Sequence, residues 1–368
     1  MSLKILSLFF VFLASVLCAY VPYVPSGGIG TSNTSAPPQY VVLSDFDWQS
    51  INLALNQEYI ELDLFRYGLE RFNASDFETA GLTPSDVSLL SFMAAQESGH
   101  ATALKKLLTD ASTGVSYASK PCTYVYPDFP DVHSYVEFSQ RVTRWGESGV
   151  YGFLEHLDSR PAAQILLESI TTEARQQMIF RQWQGLGAMS EWFETGITQS
   201  MAWTLLAPYI QSCPADNPKI AWQNFPALNI TNNPTATSAP SIGFNGSSPL
   251  TTPGQQVNLV WETPGKTTGY NDSYITVTNA KTGRFVAWFS QLNVTYTELT
   301  NVSNGTGSTV QPDLSFSGMP YNGTDYSTQV VNGSVFVAIT DENPFLTPFN
   351  VSLINDHIVA GPAIYQAG

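Results

Sequence analysis

The chain has 368 residues, 43% of them hydrophobic and only 12% charged, with a formal net charge of −15. That length accommodates two domains and a sizeable core. The acidic balance excludes nucleic acid as a partner, because the phosphate backbone calls for a basic surface, and neither GxGxxG nor GxxxxGK followed by Ser or Thr occurs.

The chain opens "MSLKILSLFFVFLASVLCAY". A lysine, an apolar run and small residues near Ala19 follow the order of a secretory signal, expected over 1–19. The competing reading is a membrane anchor. The run is short for a span, and no later stretch reaches spanning length, so no stable anchor is expected. Residues 20–44 are rich in Pro, Gly, Ser and Thr and read as a flexible leader.

From 45 to 210 the texture is helical, with apolar residues at spacings of three and four. Long helices are expected at 45–72, 83–109, 133–157 and 161–186, and a fifth at about 189–206. Thr83 ahead of Pro84 is an N-cap followed by Pro in the first turn. Four long helices predict a four-helix bundle. Cys18 leaves with the signal, and Cys122 and Cys213 stay behind. An even count in an oxidising compartment makes Cys122–Cys213 the expected disulfide, with two buried thiols as the alternative.

Residues 228–256 form a Pro/Ser/Thr/Asn-rich linker. Runs such as "QVNLVWE", "RFVAWFS" and "SVFVAIT" follow. They are β-branched or aromatic, often alternate, and are separated by Gly/Asn turns. They predict a small all-β, sandwich-like domain over 257–368, making the whole an α+β two-domain chain. Its aromatic residues read as core more readily than as a sugar platform. Asn-x-Ser/Thr sequons occur at Asn33, Asn73, Asn229, Asn245, Asn271, Asn293, Asn301, Asn304, Asn322, Asn332 and Asn350. Their clustering after residue 228 predicts a glycosylated domain, and sugars would keep a weakly charged surface soluble. The expected location is extracellular or at the cell surface, with cell-wall carbohydrate as a partner class. Oligomeric state is not legible.

Each long helix carries one glutamate in its apolar stripe: Glu58, Glu97, Glu147 and Glu173. The stripes should face the interior. There an isolated carboxylate costs several kcal/mol, and four converging ones either share protons or are neutralised by a cation. His100 lies three residues after Glu97, and Gln176 three after Glu173, each on its partner's face. Oxygen and imidazole ligands suit iron, manganese or zinc. The competing reading is a solvated cleft or Arg-paired carboxylates, with Arg141 or Arg144 beside Glu147.

The stretches "ALNQEYIELDLFRYGLE", "AAQESGHATAL", "WGESGVYGFLE" and "ITTEARQQMIFRQW" resemble, in order, the helices of the secreted ferritin-like family. That family includes fungal stress-responsive, late-sexual-development and desiccation-related proteins. The resemblance implies a bundle holding one or two iron or manganese ions through Glu58, Glu97, His100, Glu147, Glu173 and Gln176. Glu97 and His100 would hold one ion, Glu147 and Glu173 the other, with Glu58 nearby or bridging and Glu61 an alternative to it. Gln176 stands where the ferritin-like pattern has a second histidine, so oxidative enzyme activity does not follow from the pattern. The alternative is a non-catalytic, glycosylated wall or surface protein with a vestigial site.

Overall fold

The computed structural model describes residues 24, 25, 27, 39–189, 191–236, 250–314 and 333–367. The expected signal, most of the leader, part of the linker, and Asn33, Asn245, Asn322 and Asn332 lie outside these. Gln39–Gly368 is one compact unit.

The helices are α1 (Asp45–Arg71), α2 (Ala74–Thr79), α3 (Pro84–Leu107), α4 (Val132–Tyr151), α5 (Arg160–Trp183) and α6 (Gln199–Leu206). The four long ones start where their caps dictate. Ser44, Thr83, Asp131 and Ser159 each accept a backbone N–H of the first turn through the side chain, satisfying donors that no helical carbonyl reaches. Asp47 ties two starts together by accepting from the N–H groups of Asp158 and Ser159. Helix α1 packs against α3 and α4, and α5 packs against α4 and α3. Residues 50–61 of α1 are buried on every side.

Three helical expectations need correcting. The short α2, capped by Asn73 with a reciprocal bond from Asp76, was not foreseen. Helix α4 ends at Tyr151 rather than 157. At Gly152 a Cβ would collide with the carbonyl oxygen of Ile197, so another segment crosses where the helix would continue. The fifth helix starts only at Gln199, where the Thr198 side chain accepts the Met201 N–H; upstream, Glu191 and Glu194 pair with Arg144 instead.

Strands β1 (Thr123–Tyr124) and β2 (Ile210–Ser212) pair beside the Cys122–Cys213 disulfide. The pairing expected from the cysteine count is therefore present. The expected linker 228–256 begins as a strand, β3 (Leu228–Ile230), which pairs with β4 (Gln256–Trp261). A small pair, β5 (Thr267–Thr268) and β6 (Tyr274–Ile275), precedes β7 (Phe285–Ser290), β8 (Asn293–Glu298), β9 (Thr300–Ser303), β10 (Thr306–Val310), β11 (Gly333–Thr340) and β12 (Ile358–Ala367). They form two four-stranded antiparallel sheets, ordered β3-β4-β10-β9 and β12-β11-β7-β8.

Leu259, Val257, Trp288, Val337 and Tyr365 share one apolar core drawn from both sheets. The opposite face of the second sheet, through Phe289, Phe336 and Ala338, packs into a core with Met201 and Trp203 of α6. All of β11 is consequently buried. That explains why its central residues 335–339 are all apolar rather than alternating. Asn73, Asn229, Asn271, Asn301 and Asn304 are exposed, and Asn293 and Asn350 are half-buried. Among the described residues no helix is long and apolar enough to cross a membrane.

Candidate metal centre

The three-residue step from Glu97 to His100 puts both side chains on one face of α3, turned toward α1 and α5. His100 Nδ1 lies 3.0 Å from Glu97 Oε2 and 3.1 Å from Glu58 Oε2. Glu173 joins from α5. One ligand-type atom from each of Glu58, Glu97, His100 and Glu173 falls within 4.8 Å of the others. The three glutamates are buried. Among the described residues, no lysine or arginine forms an ion pair with any of them.

The far nitrogen of His100 fixes the chemistry of the near one. Thr172 Oγ1 lies 3.0 Å from Nε2 and donates its own proton to the Ser169 carbonyl at 2.8 Å. With its hydrogen spent, Thr172 is left to accept from Nε2–H. In a neutral imidazole Nδ1 is then a lone pair facing two carboxylate oxygens. Three arrangements satisfy that meeting point: a doubly protonated His100, a protonated glutamic acid donating to Nδ1, or a cation held between them.

Burial is the main force raising the Glu58 carboxyl well above its ordinary range, helped by the charge of Glu97. Burial likewise raises Glu173, reinforced by Glu61, Glu58 and Glu97. Burial alone would lower His100. The hydrogen bond and charge of Glu97 outweigh it, so the net shift is upward. These are the signatures of negative charge crowded into low dielectric. Several acceptor oxygens nearby are buried without a hydrogen-bond partner: Oε2 of Glu61, Glu147 and Glu173, and Oε1 of Gln176. Unpartnered buried acceptors are costly, and a divalent cation is one thing that satisfies them. Three carboxylates with one imidazole are a donor set that fits iron or manganese.

The other expected ligands are arranged differently. Gln176 turns its amide nitrogen toward Glu97 Oε1, at 2.5 Å. Glu147 stands outside the four-residue group. Its Oε1 accepts from the Tyr151 hydroxyl at 3.2 Å, and its Oε2 lies 3.9 Å from Arg144. Arg144 also pairs with Glu191 at 2.9 Å and with Glu194. Glu173 therefore groups with Glu97 and His100 rather than with Glu147. The Arg144 pairing weighed from sequence is present, and Arg175 is exposed.

Sequence reasoning missed Thr172, Gln57, Tyr151, Glu191 and Glu194. Gln57 donates to Glu61 Oε1 at 2.7 Å, so Glu61 is a held, buried neighbour of the group. The available signals were two four-residue steps, from Gln57 to Glu61 and from Glu147 to Tyr151. Nothing in sequence marks Glu191 or Glu194, which reach Arg144 from a non-helical segment.

A family model described as the ferritin-like domain matches residues 46–186. Protein rds1 of Schizosaccharomyces pombe (strain 972 / ATCC 24843) is 48% identical over 362 residues, spanning 94% of this chain and 86% of its own.

Proposed function

Because the chain belongs to the ferritin-like family that includes rds1, we propose that it is a secreted, glycosylated protein that binds iron or manganese between its helices. In this reading the four long helices are a ferritin-like bundle and the two larger sheets a sandwich-like domain. Stress or developmental response, a cell-surface location and contact with wall carbohydrate come with the family resemblance. The exposed sequons and the disulfide support an extracellular setting.

The observation that carries the proposal is the Nδ1 of His100 meeting Glu58 and Glu97 while Thr172 holds Nε2. Glu58, Glu97, His100 and Glu173 would hold the ion, with Glu147 and Gln176 flanking it. When bound, iron or manganese supplies Lewis acidity and one-electron redox change. The protein's own part is positional. Thr172 sets the imidazole tautomer, the Gln176 amide steadies Glu97, and Gln57 steadies Glu61. The raised carboxyls release protons as a cation takes their place.

A second reading, a vestigial site in a non-catalytic wall protein, is favoured by one feature. Gln176 points an N–H donor, not its carbonyl, at Glu97. Metal analysis of the secreted protein, with anomalous diffraction, decides between them. Iron or manganese located among Glu58, Glu97, His100 and Glu173 supports the first. Protein free of both after micromolar supply overturns it.

A further inference from the structure

A second feature begins beside the carboxylate group and leads away from it. The Gln57 side chain donates Nε2 to Glu61 Oε1 at 2.7 Å and accepts the Trp145 indole N–H on Oε1 at 2.9 Å. Gly146 makes room for this bridge, since a Cβ there would lie 2.6 Å from Gln57. Trp145 is buried and stacks on Tyr209, with ring centroids 5.7 Å apart and planes within 11°. Phe138 touches Trp145, Tyr209 and Tyr126, at 6.2, 5.0 and 6.2 Å between centroids. Tyr126 is half-buried, and its hydroxyl donates to Asp63 Oδ1 at 2.7 Å.

We propose that Trp145, Tyr209, Phe138 and Tyr126 form a one-electron relay that drains oxidising equivalents from the carboxylate group to the surface at Tyr126. The relay rests on the metal-binding reading above. Packing alone accounts for ring contacts at these distances. It does not account for the two ends. At the inner end the only indole N–H in the chain of rings is committed, through one amide, to a carboxylate bordering the group. At the outer end the half-buried Tyr126 phenol is already bonded to the carboxylate of Asp63, which is exposed. Electron transfer weakens steeply with distance, so successive rings in contact are the efficient route, and Phe138 serves as the bridge between more easily oxidised neighbours.

The oxidant would be a hydroxyl radical: hydrogen peroxide would take one electron from Fe(II) and its O–O bond would break, giving hydroxide, Fe(III) and the radical. The radical gains one electron and becomes hydroxide. Trp145 supplies that electron and is refilled, through Tyr209 and Phe138, from Tyr126. The Tyr126 O–H bond breaks, its electron moves inward and its proton passes to the Asp63 carboxylate. The balance is hydroxyl radical, tyrosine and carboxylate going to hydroxide, neutral tyrosyl radical and carboxylic acid. Such a route spares the buried glutamates and histidine from oxidation.

The test uses the full chain. Fe(II) binding is first measured anaerobically by calorimetry; one equivalent of hydrogen peroxide is then added and the sample frozen for electron paramagnetic resonance. Peptide mass spectrometry maps the oxidised residues. The expected result is a tyrosyl signal that is lost in Tyr126→Phe with Fe(II) binding kept, and lost in Trp145→Phe when scaled to the Fe(II) that variant binds. In Trp145→Phe, oxidation should shift to peptides containing Glu58, Glu97 or His100. Bound Fe(II) with no tyrosyl signal, or with a signal undiminished in Tyr126→Phe, overturns the relay alone. Failure of Fe(II) to bind overturns both the relay and the metal reading.

Discussion

His100 Nδ1 lies 3.1 Å from Glu58 Oε2, joining residues 42 positions apart in the chain and on different helices. Neither helix explains this contact alone. It exists because α1 and α3 pack with their glutamate-bearing faces together, and it brings acidic groups together where, among the described residues, no lysine or arginine pairs with them.

Thr172 controls which nitrogen of His100 is free, so Thr172→Val should weaken metal binding without removing any ligand. Partners that orient a ligating imidazole typically matter by about 10–100-fold in affinity. Calorimetric titration with Fe(II) or Mn(II) measures this. An unchanged dissociation constant would show that the Thr172 contact does not set the tautomer.

Gln176 is buried beside Glu97 and its carbonyl oxygen lacks a partner. Gln176→His places an imidazole there, a better ligand for iron than an amide. Tighter binding of Fe(II) is expected, read as a lower dissociation constant by the same titration. Unchanged affinity would mean that this position faces away from the ion.

Much of this was legible because helix physics is local. The cap at Thr83, the three-residue step from Glu97 to His100, and one glutamate per apolar stripe are all written in short windows. Glu147 illustrates what is not. Its stripe is as regular as the others, yet its surroundings are set by Glu191 and Glu194, which reach Arg144 from a non-helical segment more than 40 residues away in sequence. Likewise β11 reads as a strand, but its burial on both faces depends on α6 packing behind the sheet. Long-range partners leave no periodicity, so only the assembled chain reveals them.

Acidity should stabilise the metal-free protein. The Glu58, Glu61, Glu147 and Glu173 carboxyls all sit well above their ordinary value near 4.5, burial being the first cause in each. Glu191 is pushed up to about 7, again first by burial. The folded state thus holds protons that the unfolded state has lost, and stability falls as pH rises from about 4.5 through the raised values. His100, also raised, acts in the same direction. Its stabilisation is full below its unfolded value of 6.5 and is lost as pH passes its folded value. Denaturant melts from about pH 5 to about pH 8 should show this decline in chelator-treated protein and a shallower one with metal bound. A flat or rising profile without metal would contradict the burial of these groups.

Cys122 and Cys213 close a loop across 91 residues. Replacing both by alanine should cost about 2–4 kcal/mol, chiefly through a less constrained unfolded chain. Equilibrium denaturation of the variant against the oxidised parent gives this value. Reductant should lower the parent's midpoint and leave the variant's unchanged. Equal midpoints for variant and parent would show that the β1–β2 pairing holds the two segments without the bond.

Gly146 separates Glu147 from Trp145 and lies where the Gln57 side chain passes. A Cβ at 146 would sit 2.6 Å from Cγ and Nε2 and 2.7 Å from Cδ of Gln57, closer than packed atoms come. Gln57 is buried and bonded to Glu61, Trp145 and the Val142 carbonyl, so it has little room to yield. Gly146→Ala should therefore destabilise by about 1–3 kcal/mol, the usual cost of overpacking, although alanine is the better helix former. Displacing Gln57 also frees Glu61, so metal affinity should fall together with stability. The double variant Gly146→Ala with Gln57→Ala separates the two effects. It should regain packing tolerance at position 146, making the second Gly→Ala change much milder than the first, while affinity stays low because nothing holds Glu61. A Gly146→Ala cost that is the same in both backgrounds would show that the clash with Gln57 is not its source.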